Sequence, residues 1–319
     1  MDKDARVMVI LNAAAGTAQA NTGGGTVEAH LADIFTANGV DAHIVVAGDG
    51  AELAALAERA VRERYPIVVA GGGDGTLNLV ASKLVGTTAR FGVLPLGTLN
   101  HFAKDLRIPL DLEQAAQTII NGQIVRVDVG EVNGQIFLNN SSLGLYPSIV
   151  RHRERQQQQL GRGKWYALFW AALKVLRHYP SLSVRLTADG EEIIRRTPFV
   201  FVGNNEYEME GFQIGARSCL NKGQLALYVA HRVGRARLMQ LALTALLGWH
   251  PSNAPDFDKL CVAELWVKTR RKRLLVATDG EVSVMNAPLH YRVRPGGLRV
   301  IVPRGEDTGE GENLSQGGL

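Results

Sequence analysis

Ile67-Val68-Val69-Ala70-Gly71-Gly72-Gly73-Asp74-Gly75-Thr76-Leu77-Asn78 is an apolar run that opens into a glycine-rich loop. Four apolar residues ended by glycine read as a buried parallel strand. Thr76 to Val85 then reads as a helix. Strand, glycine loop and helix in that order can cradle an anion. Glycine permits positive φ, and without a Cβ the backbone N–H groups can approach a phosphate closely. The helix start adds partial positive charge. Open α/β sheets bind ligands at the carboxyl ends of their strands, where this loop falls. A plain tight turn is the alternative, but it does not explain a charged Asp74 between glycines at a strand end. The loop fits neither common glycine motif. No Gly-Lys-Ser/Thr follows, as a P-loop needs, and no third Gly stands at the dinucleotide-fingerprint offset.

The surrounding chain repeats the pattern. Val7 to Leu11 reads as a strand, followed by a turn at Asn12-Ala13-Ala14-Ala15-Gly16. Val27, Leu31, Ile34 and Phe35 share one helical face, and Asn38-Gly39 is a stop signal. Ala42 to Val46 is a second strand, and Leu53, Leu56, Ala57 and Ala60 mark a second helix. Phe91 to Leu94 is a fourth strand, ended by Pro95, and Leu112 to Ile120 a further helix. Strand–helix alternation implies a parallel sheet with helices on both faces. Pro95-Leu96-Gly97-Thr98-Leu99-Asn100 is a second polar loop at a strand end, where Thr98 and Asn100 could bond a phosphate or ribose. With Asn12 to Gly16, three such loops would converge on one crevice.

After about residue 123 short β-like runs dominate. They are 124–129, 136–139, 182–187, 199–202, 225–230, 265–268, 274–278, 289–293 and 298–302, with helical insertions near 160–178 and 234–248. Apolar and polar residues alternate in many of them, as in half-buried antiparallel strands. The expected division is an α/β nucleotide-binding domain over 1–126, a β-sandwich-like domain over 127–304 and a disordered tail over 305–319. Thr278-Asp279-Gly280-Glu281 places two carboxylates in one turn after a strand. Close carboxylates raise one another's proton affinity, which suits one of them to act as a base. An ordinary solvated hairpin turn is the competing reading, since Asp-Gly is a common turn pair.

A hydrophobic content of 46% and a charged content of 21% suit a soluble globular protein. No run approaches the roughly 18–20 apolar residues of a membrane span, and the first residues lack a signal-peptide pattern. A cytoplasmic protein is expected, at most peripheral at the inner membrane face. Cys219 and Cys261 have no metal-ligand spacing and read as unpaired thiols. A net charge of +4 suits an anionic ligand or membrane face and is too mild to imply nucleic acid. Basic residues beside aromatic ones at Arg151 to Tyr166 suit an anionic interface or mark an ordinary helix packed on the β-domain, and a second basic run at Arg270-Arg271-Lys272-Arg273 could hold ATP phosphates, lipid headgroups or only water.

Taken in series, these motifs resemble the diacylglycerol kinase catalytic family, which includes bacterial lipid kinases and the sphingosine kinases. Its Gly-Gly-Asp-Gly-Thr motif matches Gly72 to Thr76 with Asn78 also in place, and its Pro-x-Gly-Thr-x-Asn loop matches Pro95 to Asn100. Its opening Asn-Pro-x-Ser-Gly keeps only Asn12 and Gly16, and the Asp usual after Asn100 is His101. Val127-Asp128-Val129-Gly130, Phe137 to Asn140, Gly144 and Asp279-Gly280-Glu281 follow in family order. The resemblance implies an NAD-kinase/phosphofructokinase-like α/β domain, then an all-β sandwich, with ATP between them. It implies that Asn12, Gly16, residues 72–78, Thr98 and Asn100 hold the nucleotide and that Glu281 is the base with Asp279 beside it. Asp74 would place Mg2+ or the reacting phosphate. Where relatives with a structural magnesium carry Asp-Gly, this chain has Asn221-Lys222-Gly223, so that site is expected to be absent.

The implied reaction is phosphorylation of diacylglycerol to phosphatidic acid at a membrane surface, a step of phospholipid biosynthesis. A sphingoid or other lipid acceptor, an NAD-kinase-like soluble substrate and a catalytically silent nucleotide- or lipid-binding regulator stay open. A homodimer stays open too, as relatives include dimers.

Overall fold

The computed structural model describes residues 6–15, 26–144, 182–188, 191–197, 199–210, 213–217, 220–230 and 257–304. Its parallel strands are β1 (Val7–Asn12), β2 (Ala42–Ala47), β3 (Ile67–Gly72) and β4 (Arg90–Pro95), in spatial order β2-β1-β3-β4. Val7 to Ile10 and Val68 to Ala70 are fully buried, as strands covered on both faces require. The helices are α1 (Val27–Ala37), α2 (Gly50–Arg62), α3 (Asp74–Leu84), α4 (His101–Asp105) and α5 (Leu112–Asn121). α1 packs with α5, and α2 with α3. The expected apolar faces are the buried ones: Leu31, Ile34 and Phe35 in α1, and Leu53, Ala57 and Ala60 in α2. Gly39 takes φ 69° just past the end of α1, where the stop signal stood.

The remaining strands are β5 (Gln123–Val132), β6 (Gln135–Phe137), β7 (Asn140–Gly144), β8 (Leu182–Ala188), β9 (Glu191–Thr197), β10 (Phe199–Asn204), β11 (Tyr207–Glu210), β12 (Gln213–Arg217), β13 (Leu225–Ala230), β14 (Phe257–Val262), β15 (Glu264–Thr269), β16 (Arg273–Thr278), β17 (Glu281–Asn286) and β18 (Leu289–Val302). A six-stranded antiparallel sheet runs β14-β13-β10-β7-β16-β17. The other large sheet continues from β4 through β18, β15, β8 and β9.

β18 ties the two halves together. Leu289, Tyr291 and Val293 sit in a core shared with Phe137, Leu143 and Val276. Leu298, Val300, Ile301 and Val302 sit in the core built on β1, β3 and β4. The 289–293 and 298–302 runs, expected as separate, form one strand with a register shift at Pro295-Gly296-Gly297. Gly296, at φ 57°, turns its N–H onto Asp128 Oδ1 at 2.8 Å. The Asp128 carboxylate is buried and also accepts from Gly223 N–H at 2.6 Å and Asn205 Nδ2 at 3.1 Å. A buried carboxylate with three donors is compensated, and here it joins three separate segments.

β7, β9, β11, β12, β14, β17 and the short α4 were not anticipated. β9, β14 and β17 are sheet edges. An edge strand with exposed charged residues, such as Glu192, Arg195 and Arg196 of β9, lacks the apolar alternation that marks a strand in sequence. The helical insertions near 160–178 and 234–248, the basic segment 151–164, Cys219 and the 305–319 tail lie outside the described residues. Among the described residues no helix is long and apolar enough to cross a membrane.

Candidate active site

β1, β3 and β4 deliver their carboxyl ends to one place. The loops after β3 and β4 pack backbone to backbone, because a Cβ on Gly97 would stand 2.4 Å from the Gly73 Cα. Nothing but glycine fits at that contact. A Cβ on Gly72 would likewise strike the Thr76 side chain at 2.6 Å. Asn12 holds the first loop to the glycine loop, its Nδ2 donating to Thr76 Oγ1 at 2.9 Å. Asn12 Oδ1 accepts from Ala14 N–H at 3.0 Å, while Gly16 lies outside the described residues.

α3 starts differently from α1, α2 and α5. Those three carry side-chain caps from Thr26, Asp49 and Asp111. The N-cap of α3 is Gly73, with no side-chain cap bond, so its first amides are left for another acceptor. Asp74, the first helical residue, turns its carboxylate toward α4 instead. It accepts from His101 N–H and Phe102 N–H, each at 3.2 Å, which fixes the second loop against the first.

The other predicted ligands divide. Thr98 is exposed at its loop tip. Asn100 is buried at φ 51°, with Oδ1 accepting from Gly97 N–H at 3.0 Å and Nδ2 donating to the Gly97 and Pro95 carbonyls at 2.8 and 3.3 Å. As placed, its amide is used within its own loop. Asn78 Nδ2 reaches the Ile136 carbonyl at 3.4 Å, while its Oδ1 is buried with no partner among the described residues.

Asp279 and Glu281 do different things. Asp279-Gly280 is a two-residue hairpin turn between β16 and β17, with φ of 48° and 87°. The Asp279 carboxylate nevertheless points inward, accepting from the N–H groups of Leu138, Asn139 and Asn140 at 2.7, 2.9 and 2.9 Å. Burial pushes its carboxyl up to about 6, against the pull of those amides and of Arg217. Glu281, two residues on, is exposed. A Cβ placed on Gly75 would stand 3.2 Å from Glu281 Oε1, so this carboxylate lies directly over the glycine loop. Among the described residues no hydrogen bond or ion pair engages it.

A buried arginine links the two sides. Arg217 Nη1 donates to the Leu138 and Asn204 carbonyls at 2.7 and 3.0 Å, and Nη2 to Asn139 Oδ1 at 2.8 Å. Its Nε donates to Asp105 Oδ2 at 2.8 Å, at the end of α4. The path therefore runs from the glycine loop through Asp74, α4, Asp105 and Arg217 to the 138–140 backbone, and so to Asp279. Sequence reading missed Arg217 and Asp105, which lie in no recognisable motif and 112 positions apart.

Two further expectations meet the structure here. Lys222 Nζ lies 3.7 Å from Glu206 Oε2, and Lys259 bonds the same carboxylate. The Lys259 hydrogen bond, chiefly, holds Glu206 below the usual carboxylate range. Two ammonium groups on one carboxylate do not suit a further cation. The basic run Arg270 to Arg273 stands at the start of β16, whereas Asp279 follows its end. Six strand residues separate them by roughly 20 Å, so the run does not reach the glycine loop.

The donor set fits a phosphate chain with its cation. Glycines clear the space, the α3 amides have no side-chain cap, as an anion site requires, and Asp74 keeps lone pairs beyond its two amide bonds.

Comparison with known proteins agrees with this architecture. The diacylglycerol kinase catalytic domain model matches residues 6–132, and the YegS C-terminal NAD kinase beta sandwich-like domain model matches 146–302. A diacylglycerol kinase of Bacillus subtilis (strain 168) is 33% identical over 212 residues, covering 64% of this chain and 67% of that protein. A diacylglycerol kinase of Staphylococcus aureus (strain JH9) is 28% identical over 197 residues, covering 61% of this chain and 62% of that one. A solved diacylglycerol kinase structure from Bacillus anthracis str. Sterne superposes with a TM-score of 0.66 at 21% identity, covering 93% of this chain and 97% of that chain, which shows likeness of fold.

Proposed function

The chain belongs to the diacylglycerol kinase catalytic-domain family, a family of lipid kinases, and we propose that it transfers the terminal phosphoryl group of ATP to the hydroxyl of diacylglycerol, giving phosphatidic acid. The observation that carries this reading is the position of Glu281 over Gly75. An exposed carboxylate with no partner among the described residues, facing a phosphate cradle, is where a base for an incoming hydroxyl belongs.

Bound ATP would supply the phosphoryl group, and its Mg2+ would offset charge on the phosphates. The chain's own part is positioning and proton transfer. The amides at the start of α3 and the Gly72–Gly75 backbone hold the phosphates, with Asn12 and Thr76 fixing the loop. Asp74 is the protein ligand offered to Mg2+. Glu281 takes the proton of the lipid hydroxyl as that oxygen bonds to the γ-phosphorus, whose bond to the bridging oxygen breaks to release ADP. Asp279 acts through the backbone: its three amide bonds set the turn from which Glu281 projects. No structural magnesium is expected beside Lys222, because Lys222 and Lys259 already share Glu206. The lipid is met at a membrane surface by a peripheral protein.

Incubating the chain with γ-labelled ATP and, separately, vesicles containing diacylglycerol, vesicles containing a sphingoid base, or soluble NAD tests the reading. Label in phosphatidic acid is the expected result. Label in the sphingoid base or NAD moves the acceptor assignment, and label in none of the three favours the silent regulator.

A further inference from the structure

Arg90, Arg299 and Arg126 stand in one row across three neighbouring strands. Arg299 of β18 is directly opposite Arg90 of β4 on one side and Arg126 of β5 on the other. Directly opposed residues share a face of the sheet, so three guanidinium groups emerge side by side. Like charges in that arrangement repel. Arg90 and Arg299 are half-buried, which weakens the screening that solvent would give a fully exposed row.

The three line a cavity of about 720 Å³ together with Arg64, Tyr65 and Thr88. Among the described residues no carboxylate lines it. Among the described residues none of the four arginines forms an ion pair, and Glu63, next to Arg64, is held by Arg59 at 2.7 Å. The cavity is not part of the active site. Arg90 begins β4 and Pro95 ends it beside the glycine loop, so about 16 Å of strand lies between.

We propose that this cavity is a second anion site that takes a phosphate group. Guanidinium forks match phosphate oxygens two at a time, and a bound anion would relieve the repulsion that the empty row carries. The phosphate could belong to a soluble ester or to a phospholipid headgroup. The inference stands apart from the kinase reading, since it uses no residue of that site.

The test compares the full chain with Arg299→Gln and, at the exposed edge of the row, Arg126→Gln. In one arm, thermal unfolding is followed with and without inorganic phosphate. In the other, the protein is sedimented with phosphatidylglycerol vesicles against phosphatidylcholine vesicles. The glycine loop contributes equally to all three proteins, so a difference between them reports the arginine row. The expected result is a phosphate-induced rise in melting temperature that both variants lose in large part. Without phosphate, Arg299→Gln should melt no lower than the parent chain, because a like charge has gone. Loss of the phosphate response with unchanged vesicle binding assigns a soluble ester, and loss of selective binding to phosphatidylglycerol assigns a headgroup. Variants that match the parent chain in both arms overturn the proposal. If Arg299→Gln does not fold, Arg126→Gln carries the comparison alone, its side chain being exposed.

Discussion

Glu281→Gln is expected to leave nucleotide binding intact and to lower phosphoryl transfer by about a hundred- to ten-thousand-fold. The size follows from what the side chain does. Glu281 is exposed at the start of an edge strand, so the amide should cost little stability. The glycine loop and the start of α3 are untouched, so the phosphates keep their amides. Only the group that can accept a proton over Gly75 is gone. Nucleotide affinity measured by calorimetry, beside turnover on diacylglycerol vesicles, separates the two effects. Turnover within a few-fold of the parent chain would mean that Glu281 is not the base.

Arg217→Met is expected to be the most damaging change away from the reacting groups, lowering stability by about 3–5 kcal/mol. Its guanidinium is fully buried and its partner Asp105 nearly so. Removing it leaves the Asp105 carboxylate without its cation, takes a donor from Asn204 O and Asn139 Oδ1, and leaves Leu138 O only its bond from Asn204 Nδ2. A loss of that size should lower the melting temperature by roughly 10 °C. Adding Asp105→Leu should restore part of it, since a buried pair removed whole costs less than a pair broken. A variant that melts within a degree or two of the parent would show that water replaces the guanidinium. The same lesion should reduce turnover, because the 138–140 backbone would no longer hold Asp279 in place.

Much of this was legible in the residues, and the reasons differ by element. β1, β3 and β4 are buried on both faces, and continuous apolar runs gave them away. The two glycine loops were readable as places of close backbone approach, and a Cβ on Gly72 or Gly97 would collide with Thr76 or Gly73. Asp279-Gly280 was harder. Read as a turn or as catalytic chemistry, it proves to be a hairpin turn whose carboxylate holds the neighbouring backbone. Local sequence could not reveal that, since the three amides come from residues about 140 positions earlier. Arg217 was invisible for the same reason: most of its partners are main-chain or amide oxygens on distant segments. β18 was half visible. Its two apolar stretches were found, but Pro295-Gly296-Gly297 read as a break, although the strand continues through it and joins both cores. The edge strands β9, β14 and β17 escaped because solvent on one side removes the need for regular apolar spacing.

The most direct test is a structure of the chain with a non-hydrolysable ATP analogue and Mg2+ bound. The phosphate chain should lie on the backbone amides from Gly72 to Thr76, with its terminal phosphate facing the Glu281 carboxylate. A nucleotide bound elsewhere, or a terminal phosphate directed away from Glu281, would contradict the account.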